Sequence, residues 1–174
     1  MRLENKAMRG TGLLGAVLFG GALLGLAAAC SPQAGADAPT VAAASPAVHP
    51  VSGLPVAPLT VTSAGKVHRF RVELARTGEE QSRGLMFRTA LGPDEGMIFP
   101  MDPPRDASFW MRNTVIPLDL IFIGPDRRIL NIAANAVPYD ERPLASTGPV
   151  SAVLELAGGK AATLGIVPGD KVDW

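Results

Sequence analysis

The stretch FWMRNTVIPLDLIFI, Phe109 to Ile123, decides the fold. From Leu118 onward both alternating sets of positions are apolar: Leu118, Leu120 and Phe122 form one set, Ile121 and Ile123 the other, and Asp119 is the one polar intruder. Side chains alternate between the two faces of a strand, so this strand belongs in the interior of a sheet covered on both sides. Pro117 has no N–H to give to a ladder, so the chain is expected to break there, with Ala107 to Asn113 as an earlier strand. On that strand Phe109, Met111 and Asn113 would share one face, and Trp110 and Arg112 the other.

Asp119 then enters a covered face. A carboxylate withdrawn from water is costly unless it is paired or hydrogen-bonded. The donors that sequence places nearby are the Asn113 amide, the Thr114 hydroxyl, backbone amides freed at Pro117, and the guanidinium of Arg83 or Arg112. At least two hydrogen bonds to Asp119 from this group are expected.

Outward from this segment, period two recurs. In KVHRFRVELA, Phe70, Val72 and Leu74 alternate with Arg69, Arg71 and Glu73, as in a half-buried strand. Thr77-Gly78-Glu79-Glu80 matches a capping box and should open a short helix through about Phe87, with Gly84 marking close packing or the helix end. Met97 to Phe99 reads as a strand, followed by a turn at PPRD. Leu118–Ile123 and Arg128–Ile132 read as a hairpin across Gly124 to Arg127. Val137 to Gly148 is a long polar loop, Val150 to Leu156 a strand, Gly159 to Leu164 one or two helical turns, and Lys171 to Trp174 a closing strand. Many short strands with one or two small helices predict a mainly-β domain, a compact β-barrel or β-sandwich.

The chain ahead of this domain has another character. Residues 1–10 carry Arg2, Lys6 and Arg9, and Thr11 to Ala29 holds no charge, the n-region and h-region of an export signal. It ends at Cys30, the only cysteine. Small residues before that cysteine resemble the lipobox of bacterial lipoproteins, with Ala27 where leucine is usual and Leu26 one place early. The resemblance implies acylation of Cys30, a lipid membrane as partner and residence on the periplasmic side. Plain cleavage after Ala27-Ala28-Ala29 and an uncleaved anchor are the alternatives. All three export the domain.

Residues 31–58, with six prolines and eight alanines, have the composition of a linker. Its 28 residues would reach about 85 Å extended and about 30 Å as a coil. Residues 59–174 form the expected globular domain. It carries 13 Lys and Arg against 14 Asp and Glu, so no basic field invites nucleic acid. With no cysteine beyond Cys30 it has neither disulfide nor thiolate site.

Four blocks in order, RGLMFR (Arg83 to Arg88), GMIFPM (Gly96 to Met101), FWMRNTVIPLDLIFI and VLELAGGKAATLGIVPGD (Val153 to Asp170), resemble the bacterial and archaeal family known as domain of unknown function 192. The resemblance spans nearly all of the domain from Glu73 onward and implies a small mainly-β fold, often exported. It carries no reaction. Its pattern singles out Arg83, Gly84, Met86, Trp110, Met111, Asn113, Thr114, Pro117, Asp119, Glu155 and Gly158.

Three functional readings follow. The first is a non-catalytic binding or accessory module whose ligand patch comprises Arg83, Trp110, Asn113, Thr114 and Asp119, with a flat ring and a fork-shaped donor meeting a sugar, a carboxylate or an envelope polymer. The second is a hydrolase of envelope polymers using Asp119 and Glu155 as its carboxylate pair, which requires both to open on one cleft. The third is Cu(I) binding by the thioethers of Met86, Met97, Met101 and Met111, which requires three sulfurs converging on one point. No Gly-x-Ser-x-Gly elbow is present, and His68 is the only histidine of residues 59–174, so neither a serine triad nor a histidine metal site is expected. No cofactor is expected.

Overall fold

The computed structural model describes residues 47–174. The expected export segment, Cys30 and most of the expected linker lie outside the described residues. Nine strands and two short helices follow in the order β1 (Val56–Ser63), β2 (Lys66–Leu74), α1 (Gly78–Arg83), β3 (Glu95–Arg105), β4 (Ser108–Phe109), β5 (Leu118–Ile123), β6 (Ile129–Ala136), β7 (Leu144–Ala145), β8 (Val150–Ala157), α2 (Lys160–Leu164) and β9 (Lys171–Asp173). The fold is mainly β, as the alternation requires. The boundary read at Leu59 falls inside β1, and the turn ahead of it is fastened by the Val56 N–H donating to the Ala47 carbonyl.

Seven strands form one mixed sheet in the order β6-β5-β8-β3-β2-β1-β9, and β4 pairs with β7 apart from it. Only β2 and β3 run parallel, joined by the crossover that contains α1. The two outer strands approach each other: an isolated bridge links Arg128 to Lys171, and Val172 N–H donates to the Arg127 carbonyl. The sheet therefore rolls until its edges touch at one end, without closing a continuous ladder.

All six residues of β5 are buried, because β6 and β8 flank it and both of its faces are packed. On one face Leu59, Val61, Phe70, Val72, Ile98, Ile121, Ile129, Leu154 and Val172 join residues from seven strands into the core inside the roll, with Ala161 and Ile166 packed at α2. On the other face Met97, Phe99, Leu118, Leu120, Phe122 and Val153 form a second core under Leu85, Ala107 and Met111. Each fully buried side chain of this size contributes about 1.5–3 kcal/mol.

Two expectations change. Ala107 to Asn113 is not one strand: only Ser108 and Phe109 pair, with β7, and the chain then turns with Asn113 at φ 53°. Asparagine tolerates that left-handed conformation, and Thr114 N–H closes the turn on the Met111 carbonyl. The helix of the capping box stops at Arg83 instead of Phe87, because Gly84 takes φ 46° beside the Phe99 ring. The box itself is complete: Glu80 N–H donates to the Thr77 hydroxyl, and Thr77 N–H to the Glu80 carboxylate.

Candidate functional site

α1 buries no side chain, so something other than a packed face must hold it. Gln81 does this, its amide donating to the carbonyls of Ala75 (3.2 Å) and Pro100 (2.9 Å) and clamping the helix across β3. Arg83 is thereby set at the mouth of a cavity of about 480 Å³ on the second-core side of the sheet. Leu85, Phe99, Met101 and Phe109 give the cavity apolar walls, Phe99 and Phe109 meeting edge to face with centroids 5.1 Å apart. Arg83, Arg105 and Arg112 stand exposed at its rim with Asp106 and Trp110. The Arg112 guanidinium lies 5.5 Å from the Trp110 ring centroid, so these two side chains adjoin although no strand alternation puts them together.

Glu155 opens into this cavity from β8. It lies between Leu120 of β5 and Met97 of β3, and its residue is 5 % exposed. Burial alone pushes its carboxyl up to about 8, with no neighbouring charge or hydrogen bond opposing the shift. At neutral pH it is a carboxylic acid, able to donate its proton to an oxygen in the cavity. Thr114, 5 % exposed, lines the same space.

Asp119 is elsewhere. It is fully buried, as its place in an apolar strand implies, but it belongs to the opposite face of the sheet, in step with Ile121 and Ile123. Its Oδ1 accepts from the N–H of Asn135 (2.7 Å) and Gly159 (2.9 Å), its Oδ2 from the N–H of Ala161 (2.7 Å). None of the donors expected from sequence reaches it, because the turn at Asn113 carries that segment to the other side of the sheet. Gly158 makes the approach of α2 possible: a Cβ there would fall 2.6 Å from Asn135 Oδ1 and 2.8 Å from Pro117 Cβ.

Of the expected site residues, the cavity thus gathers Arg83, Trp110, Thr114 and Glu155. Asn113 stays outside its wall, its amide 3.8 Å from Met86 Sδ. The carboxylate pair fails its own requirement, since Asp119 and Glu155 face opposite sides of the sheet. Of the four methionines, only Met86 and Met101 line the cavity, while Met97 and Met111 pack in the core. The Cu(I) reading therefore lacks its third thioether there.

Sequence reasoning missed Arg105 and Asp106, read as a turn, although a long β3 carries Arg105 to the rim and Asp106 follows it there. It also placed Glu73 on an exposed face. Glu73 is 1 % exposed and bonded to Arg88 at 2.7 Å, with His49 against the pair. The signal was RGLMFR, whose second arginine needs an acid once it is covered.

Comparison with known proteins agrees with this architecture. A crystal structure of a protein of unknown function from Novosphingobium aromaticivorans is 68 % identical, with a TM-score of 0.73 over 76 % of this chain and 94 % of that one. The crystal structure of a putative transcription regulator from Sinorhizobium meliloti is 40 % identical, with a TM-score of 0.65 over 67 % of this chain and 91 % of that one. No curated protein matches the chain. The family model DUF192, described as an uncharacterized ACR, matches residues 59–174, and the chain belongs to that family.

Proposed function

We propose that the protein is an exported, lipid-tethered binding module that takes a small molecule into the Glu155 cavity. The observation that carries the reading is a buried acid, Glu155, with no partner among the described residues, facing an open space. Such a group is unfavourable for folding and becomes useful when a ligand supplies its hydrogen bond. The volume lies in the usual range for small-molecule sites, and the walls combine apolar surface with a few convergent polar groups. The charge-free segment ending at Cys30 supports the tether.

Two measurements test this. A thermal-shift screen of the full-length protein should find compounds that raise its melting temperature, and the same compounds should leave Glu155→Leu unmoved, because only a ligand bound to the native cavity stabilises it. Shifts equal in both proteins would overturn the cavity reading. Labelling with a radioactive fatty acid should mark the wild type and not Cys30→Ala; equal labelling of both would overturn attachment at Cys30.

A further inference from the structure

The Glu155 cavity has two chemically different ends, and they restrict what it can hold. Resting on the binding reading above, we propose that its ligand is an organic acid with an apolar, preferably flat, body: an anionic head at the arginine rim and an uncharged oxygen, hydroxyl or carbonyl, at the Glu155 end.

The rim comes first. Arg83 and Arg105 are exposed at the mouth, and among the described residues neither takes part in a salt bridge. Arg112 adds a third guanidinium, shared loosely with Glu141 at 3.7 Å. Among the described residues the mouth sets these three guanidinium groups against two acids, Asp106 and the Glu141 beside Arg112, so the rim is net positive. Guanidinium groups offer parallel N–H donors that fit a carboxylate in a bidentate way. An ammonium-bearing ligand would have to pass these charges.

The inner end selects in the same direction. Glu155 sits between Met97 and Leu120, with Glu73 flanking Met97 from the other side and already paired with Arg88. Among the described residues no cation is paired with Glu155, and its carboxyl stays neutral in this apolar setting. It therefore meets a ligand as an O–H donor, which calls for a hydroxyl or carbonyl oxygen. Between the two ends, Phe99 and Phe109 offer ring surfaces to an apolar body.

The test uses three probes of nearly equal shape: 4-hydroxybenzoate, its methyl ester and 4-hydroxybenzylamine, titrated calorimetrically into the full-length protein in detergent. The acid should bind at least about tenfold tighter than the ester, the amine should be weakest, and Arg83→Ala/Arg105→Ala should bring the acid down to the level of the ester. An ester that binds as well as the acid, or an amine that binds better, would overturn the organic-acid assignment and leave the binding reading standing. No binding by any probe would overturn the organic-acid assignment as well, while the binding reading falls only if the broader thermal-shift screen finds no shift that Glu155→Leu abolishes.

Discussion

Two acids stand one register step apart on neighbouring strands, Asp119 opposite Leu156 and Glu155 opposite Leu120, and the sheet treats them in opposite ways. Asp119 looks into the roll and accepts from three backbone N–H groups, Asn135 of β6 and Gly159 and Ala161 at the start of α2, with both oxygens occupied. Glu155 looks out, under the second core, into the cavity, and among the described residues no donor is bonded to it. Burial is nearly equal, at 0 % and 5 % exposed. What separates a structural acid from a candidate functional one is therefore not burial but whether the fold supplies its partners.

The largest effect should come from removing the satisfied acid. Asp119→Ala leaves three backbone N–H groups without their acceptor, that of Ala161 buried, and opens a void beneath α2, and should cost about 4 kcal/mol in a urea melt. Asp119→Asn should not rescue it, because one amide end would point N–H at N–H. A loss under about 1 kcal/mol would erase the contrast with Glu155. Next comes the intermediate case, Glu73, which has one side-chain partner. Arg88→Ala strands a buried carboxylate and should cost about 3 kcal/mol.

The unpartnered acid should behave in the opposite sense. Glu155 has its carboxyl at about 8 when folded, against an ordinary 4.5. Between these values the folded state keeps a proton that the unfolded chain has lost. Stability is then fully present below about 4.5, falls as pH rises and levels off above about 8. Glu155→Gln removes this titration. The variant should match the wild type at pH 4.5 within about 1 kcal/mol and exceed it by several kcal/mol at pH 8.5. A wild type whose stability is flat across that window would show that the cavity solvates the carboxylate.

How far these differences are legible in sequence depends on their range. The burial of Asp119 follows from the apolar run around it, since period two fixes a face by local pattern alone. The capping box at Thr77 and Glu80 and the β5–β6 hairpin are equally local. The partners of Asp119 are not: Asn135, Gly159 and Ala161 lie 16, 40 and 42 residues away, and strand order alone brings them near. The register between β5 and β8 also puts Asp119 and Glu155 on opposite faces, which no spacing could show. The turn at Asn113 misled in the other direction, since a left-handed asparagine reverses a segment whose residues alternate like a strand.

Arg83 and Gly84 carry the comparison down to adjacent residues. Gly84 belongs to the scaffold: it ends α1 at φ 46°, and a methyl group there would sit 3.4 Å from Phe99 Cζ. Gly84→Ala should cost about 1 kcal/mol through the backbone conformation. Arg83 belongs to the cavity: it is exposed, has no salt bridge among the described residues, and its helix is held by Gln81 and by the cap at Thr77. Arg83→Ala should therefore move stability by less than about 0.5 kcal/mol while weakening 4-hydroxybenzoate. The two losses dissociate only if the rim is built for something other than folding. An Arg83→Ala protein that melts as early as Gly84→Ala would put the arginine in the same class as Asp119, a group the fold needs for itself.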